Sequence, residues 1–538
     1  MIIRKKPPRK LALHEPIRHE NHGRPQSRRD FLGRGFLTGA AYITAPTFFS
    51  LFANPRAAQA ALAPDIDALR QQCGIATSGA GKIPFIAFDL AGGANLNGSE
   101  ALIGGQGGQL DFLSAAGYAN LGLPGNMVPN SPNPGSPTNN FIDTSLGLAW
   151  HSDGGMLRGI LSRTAAGTRA GVNGAVIGAL SENDTMNNPH NPMYGIWKAG
   201  ADGQLLTLIG SEPTVSGGNS LAPADMIDLT VTPTVVDQAS DVTGLVNTGQ
   251  LGTLFANPSD AVSVLESIAR ISGGTDPNAF GGKLRQVNML TRDTAIKTAL
   301  RCGYVKSADL VNTFGNPASL NPDLDTNIVG SSGIFTQAEY AASSDFKKTA
   351  AIMKMVVNGF AGAGTIEMGG FDYHGQGRAT GEDRNFQAGV CIGACLEYAA
   401  RVGLPLMIYV FSDGSVNANG MVDNTTDGRG KFMWASDNQT TAASIMLVYN
   451  PKGRPALLHG ATSQQIGYYD ADGSVNTTSS PAANSVEQLV QTVVLNYMAL
   501  HGQQGQFGTL FPTQGLGSAA GQDAVTAFAP IVNGKIGA

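Results

Sequence analysis

Apolar residues gather along this chain in short unbroken runs, separated by stretches where they recur every three or four positions. Ile83-Pro84-Phe85-Ile86-Ala87-Phe88-Asp89-Leu90 is one such run, and it ends in Ala91-Gly92-Gly93. A run this continuous predicts a strand buried on both faces, as in a parallel sheet, leading into a glycine turn. Runs over 175–180, 363–368, 404–411 and 444–449 predict four more strands. Helical spacing predicts a helix over 347–358 and another over 383–402, whose stripe is Phe386, Val390, Cys391, Ala394, Leu396 and Ala399. A last helix starts at Ser485, with Gln488 three residues on as a capping box, and ends near His501-Gly502. Strands alternating with helices imply an α/β fold: a mostly parallel central sheet with helices on both faces. The alternation breaks at about 205–345, where strand-like (226–235) and helix-like (261–271, 292–301) pieces predict a large insertion or cap.

Composition narrows the class. Of 538 residues, 42% are hydrophobic, enough for a large core, and 14% are charged, well below the roughly 25% of average soluble chains. Global disorder is excluded, because it needs high charge and few apolar residues. Charge is unevenly placed: residues 1–60 hold 11 Lys+Arg against 3 Asp+Glu, so the remaining body is acidic, at net −13. Such a body is a poor partner for nucleic acid, which is held by clustered Lys and Arg.

The basic segment reads as an address. Ser27-Arg28-Arg29-Asp30-Phe31-Leu32 has the form of a twin-arginine export signal, followed by an apolar stretch from Phe36 to Phe52 and a small-x-small site at Ala58-Gln59-Ala60. The apolar stretch is short for a membrane span and Pro46 interrupts it. The expectation is a precursor recognised by the twin-arginine export machinery, cut after Ala60 and released to the periplasm or outside. Residues 61–538 would then be one mature domain without a transmembrane segment. In an oxidising compartment a Cys73–Cys302 bridge is conceivable, while Cys391 and Cys395, four apart on a helix, read as buried thiols.

Four polar clusters follow predicted strands: Asp89 with Asn95, His190 in Asn188-Pro189-His190-Asn191, Gly369-Gly370-Phe371-Asp372-Tyr373-His374, and Phe411-Ser412-Asp413-Gly414. In an open α/β sheet such groups converge at the carboxyl ends of the strands. Asp372 and His374 offer an oxygen and a nitrogen to zinc or a similar metal; an Asp–His hydrogen bond that orders a loop uses the same residues. His151-Ser152-Asp153 reads as a structural loop, since adjacent residues cannot form a triad with one another. Gly104-Gly105-Gln106-Gly107-Gly108 lacks the lysine of a phosphate-binding loop.

These segments, in this order and with Trp197 seven residues after His190, resemble a family of twin-arginine-exported proteins, that of domain of unknown function 1501. That family is similar in fold to the alkaline phosphatase and sulfatase superfamily. Its pattern looks like L-R-G-G-x-D, S-H-F, G-G-W-D-x-H, and S-E-F-G followed by D-H-G. The resemblance spans about 83–500 and implies an alkaline phosphatase-like fold, with Asp89, Asn95, His190, Asp372, His374 and Asp413 as metal ligands. The departures are specific. Asn95 stands for a metal-binding Asp, Asp413 for Glu, and Pro189 for the Ser before the His, which leaves Thr185 as the near substitute for a nucleophile. Trp434-Ala435-Ser436-Asp437-Asn438 occupies the D-H-G region without a His. Superfamily chemistry takes two metals; this set implies at most one divalent ion such as zinc. The expected role is therefore an exported protein with a degenerate metal site and a non-catalytic envelope function. The alternative is a metal-dependent phosphate- or sulfate-ester hydrolase.

Overall fold

The computed structural model describes residues 62–75, 79–181, 188–246, 258–286, 292–314, 317–375 and 377–537. The export signal and Thr185 lie outside the described residues. Two compact units divide the chain, one containing Val246–Pro317 with the N-terminal residues through Gly74, the other Ile75–Leu245 with Ala318–Ala538.

The larger unit is α/β. Its central sheet has eight strands: β1 (Phe85–Leu90), β2 (Val172–Gly178), β3 (Leu206–Gly210), β4 (Thr234–Val235), β5 (Ala361–Met368), β6 (Leu406–Ser412), β7 (Ala443–Tyr449) and β8 (Gln465–Ile466), in the order β8-β2-β7-β6-β1-β5-β3-β4. All neighbours run parallel except β7, which is antiparallel to both β2 and β6. Five strands fall where the apolar runs predict them. Leu404–Phe411 is central, because β6 lies between β7 and β1.

The continuous apolar runs are explained by cover on both sides. Phe85 and Ala87 of β1 join Met407, Tyr409, Met446 and Val448 in a core shared with helices α2 (Met193–Lys198) and α5 (Val486–Leu500). On that side the Phe85 and Tyr497 rings meet edge-on at 5.9 Å. Helix α3 (Ser344–Val357) covers the opposite face, where a Cβ added to Gly364 would come within 2.6 Å of Ile352. Beside it α4 (Arg378–Val402) packs on α1 (Gly155–Arg163) so closely that a Cβ at Gly389 would sit 2.1 Å from the Met156 carbonyl. Helix α4 starts five residues before the predicted start at 383 and eight before the apolar stripe begins at Phe386. Its first turns carry buried polar residues, Arg378, Glu382 and Asn385, which a hydrophobic pattern cannot register. Ser485 caps α5 as expected, accepting from the Gln488 N–H at 3.3 Å.

The expected insertion over 205–345 is narrower in the structure. Leu206–Gly210 and Thr234–Val235 are strands of the central sheet, and only Val246–Pro317 groups with the N-terminal helix Pro64–Gln72. β3 escapes sequence reading because it is short and its first two residues are only half-buried. The smaller unit joins Pro64–Gln72 to helices Pro258–Gly273 and Asp293–Phe314. The Cys73–Cys302 disulfide closes it, with ion pairs Arg270–Asp65 and Arg70–Asp309 alongside. Among the described residues, no helix is long and apolar enough to cross a membrane.

Candidate functional site

The turn after β1 sets the geometry of the strand ends. Gly92 has φ +118°, and a Cβ there would lie 2.4 Å from the Asp372 nitrogen, so the loops after β1 and β5 press together where only glycine fits. The same turn receives the residues after β6. Ser412 Oγ donates to the Leu90 carbonyl and accepts from the N–H groups of Gly93 and Ala94. Asp413 Oδ1 accepts from the Gly92 N–H at 2.9 Å, and its Oδ2 accepts from Asn219 Nδ2 at 3.0 Å.

Asp89 lies one strand over and is fully buried. Its carboxylate accepts from the Ser220 N–H at 2.7 Å and from Ser220 Oγ at 3.2 Å. Burial pushes its pKa up to about 7 against the pull of Ser220, and the nearby charges of Asp413 and Glu367 push the same way. Asp413 is raised as well, chiefly by burial. Two buried carboxyls thus share one edge of the sheet, each held by donors of the protein itself.

His190 and Asn95 also point inward. The His190 ring stacks on Phe411 at 5.9 Å, and among the described residues neither ring nitrogen has a hydrogen-bond partner. Burial alone lowers its pKa to about 4, so it is neutral at physiological pH. Asn95 organises its own loop: its Oδ1 accepts from Ser99 Oγ at 2.9 Å, and its N–H donates to the Tyr373 hydroxyl.

Asp372 and His374 have exposed side chains, although the Asp372 backbone packs on the same Gly92 that binds Asp413, and their third neighbour is Asp437. His374 Nδ1 is 2.5 Å from Asp372 Oδ1 and 3.2 Å from Asp437 Oδ1. One ligand atom from each of the three falls within 4.8 Å of the others, and no further group of three His, Cys, Asp or Glu residues comes that close among the described residues. Asp437 ends the second strand of a hairpin, Val416–Val422 with Phe432–Asp437, and pairs with Val416. That hairpin delivers to His374 a carboxylate from the region where a D-H-G motif would stand, while Asp413, three residues before the hairpin, turns inward to Gly92.

The candidate ligands therefore divide between a buried set and an exposed set. The described residues do not assemble a two-metal centre: among them Asp89, His190 and Asp413 belong to no three-ligand group, and Asp89 and Asp413 accept hydrogen bonds from Ser220, Gly92 and Asn219. Asp372, His374 and Asp437 have the donor set for one cation, two oxygens and a nitrogen with solvent on the open side.

Protein-family models, curated proteins and solved structures offer no match to this chain.

Ser220 and Asn219 are the functional neighbours that sequence reading does not find. They follow Gly217-Gly218, the turn past β3, and a Cβ at Gly218 would lie 2.7 Å from Asp89 Oδ2. A glycine pair after a recognised strand would have marked the segment. β3 itself was hidden within the expected insertion.

Proposed function

We propose that this chain is an exported protein of alkaline phosphatase-like architecture, directed by Arg28 and Arg29, whose ancestral metal site has been dismantled, and that it acts in the envelope by binding and not by ester hydrolysis. One observation carries the reading. The Asp89 carboxylate, at the end of a central strand where a catalytic metal would need it, is enclosed and bonded to Ser220 instead. Its two oxygens accept from the N–H and the hydroxyl of Ser220, so its charge is met by donors of the protein itself. Neutral, apolar-packed His190 supports the same reading.

The test uses mature protein purified from its native compartment. Metal content is measured, and p-nitrophenyl phosphate and p-nitrophenyl sulfate are offered with zinc, manganese, magnesium or calcium. The expected result is no turnover, and no difference between the wild type and Asp89→Asn. Turnover abolished by Asp89→Asn, with about one tightly held metal per chain, would overturn the reading. Precursor carrying lysine at positions 28 and 29 should remain uncut in the cytoplasm; unchanged export would remove the envelope from the proposal.

The second reading, a metal-dependent ester hydrolase, has one observation in its favour: Asp372, His374 and Asp437 already stand within ligand distance of one another. It predicts turnover lost in His374→Ala and restored by no added metal.

A further inference from the structure

We infer that the chain has a second, separate binding site, for a neutral polyhydroxylated ligand such as a small sugar, in a cavity at the carboxyl end of β2. The cavity measures about 490 Å³ and is lined by Ser181, Pro189, Gln439, Asn484, Ser485 and Glu487, among others. Its volume is within the roughly 300–1,000 Å³ usual for small-molecule sites.

Its position follows from the sheet. Leu180 and Ser181 lie just past the end of β2, and Gln439 precedes β7. Because β7 is antiparallel to β2, with Ala443 opposite Gly178, the start of β7 and the end of β2 share one edge. That is the edge where open α/β sheets bind ligands. Over β1 and β6 it is filled by the Gly92–Asn95 turn and its partners; over β2 and β7 the described residues leave the cavity. The first turn of the 15-residue α5 forms the third wall. Backbone hydrogen bonds tie the walls together, from the Leu180 N–H to the Ala483 carbonyl at 2.9 Å and from the Ser181 N–H to the Gln439 carbonyl at 3.2 Å. The shape is therefore set before any ligand arrives.

The lining selects the chemistry. Among the described residues it includes no lysine, arginine or histidine, so a phosphate or sulfate would meet no countercharge there except the helix end, and would face the exposed Glu487 carboxylate. A cation would face the positive end of α5. What remains is a pair of exposed amides that both give and take hydrogen bonds, Gln439 and Asn484, with Glu487, whose carboxylate also accepts from Ser485 Oγ at 3.3 Å, as acceptor. Vicinal hydroxyls of a sugar match that set, since each donates and accepts.

The experiment titrates mature protein, disulfide intact, with D-glucose, D-galactose, D-mannose, N-acetylglucosamine and maltose by saturation-transfer NMR and calorimetry, with inorganic phosphate and magnesium chloride as charged comparisons. At least one neutral sugar should bind saturably. Gln439→Ala and Asn484→Ala, both at exposed positions, should each weaken it by roughly tenfold, the loss of one hydrogen bond, without lowering the melting temperature. Asp89→Asn should leave sugar binding unchanged, which separates this site from the reading of the strand-end carboxylates. Binding of phosphate or magnesium alone, no sugar binding up to tens of millimolar, or sugar binding indifferent to both alanine variants would each overturn the inference.

Discussion

Acidification should destabilise this protein through His151, and the size of the effect can be worked out. The ring is fully buried and stacks on Phe141 at 5.1 Å. Nε2 lies 2.9 Å from the Met127 carbonyl, which can only accept, and Nδ1 accepts from the Asp153 N–H at 3.3 Å. The proton is thus on Nε2, and the imidazole is neutral with both nitrogens engaged. Burial, reinforced by the nearby Lys431 charge, lowers the pKa from 6.5 to about 3, against the opposing pull of the Met127 carbonyl, Asp153 and Glu382. A base whose folded pKa lies below its unfolded one keeps its full contribution above about pH 6.5. It loses that contribution as pH falls toward 3, because the unfolded chain takes up a proton that the folded chain refuses. At about 1.4 kcal/mol per unit the ceiling is about 5 kcal/mol, of which about 2 kcal/mol is gone by pH 5. His151→Gln retains a donor for Met127 and an acceptor for Asp153 without titrating. Urea unfolding followed by tryptophan fluorescence, near pH 7.5 and near pH 5, measures the cost of the substitution at each pH. That cost should shrink by about 2 kcal/mol at the lower pH. His190 and His501, also lowered to about 4, titrate in both proteins and cancel. An equal cost at the two pH values would refute the reasoning.

Three further outcomes are expected. Lys431 is 0% exposed and donates to Glu382 at 2.7 Å and to the Asp153 carbonyl at 2.9 Å, so Lys431→Met should cost about 3–5 kcal/mol by leaving a buried carboxylate short of a partner; a cost below about 1 kcal/mol would mean that Arg378 and Arg158 suffice to hold Glu382. Gly92→Ala places a Cβ on the Asp372 backbone at φ +118°, and should lower stability by at least about 2 kcal/mol, read as a fall in melting temperature. Cys73→Ser with Cys302→Ser opens a crosslink spanning 229 residues, for which chain entropy sets a ceiling of about 5 kcal/mol; the helical unit should become sensitive to limited trypsin digestion, as should the wild type after reduction, and unchanged resistance in both would count against a stabilising disulfide.

The sequence by itself determined the fold class. A strand covered on both faces must be apolar at consecutive positions, which is why the runs at 83–90, 363–368 and 404–411 could be read locally, to within two residues of the strands, and a helix lying on a sheet must show a stripe, as 386–399 does. It also pointed to the strand-end loops, because glycine pairs mark turns that side chains cannot enter. Tertiary structure alone decided what those loops do. Asp372, His374 and Asp413 have residue types and spacings that suit a metal equally well in either arrangement. Their directions were set by pairing across hundreds of residues: Gly92 draws Asp413 inward, and the hairpin brings Asp437 out to His374. Histidine at position 190 signals chemistry in a sequence, yet here it is packed against Phe411 with no polar partner for its ring among the described residues. The reversed direction of β7 was equally invisible, since a run buried on both faces carries no record of which way its neighbours run. Side-chain type is written locally, but the direction in which a side chain points after a strand ends is fixed by backbone contacts from elsewhere in the chain.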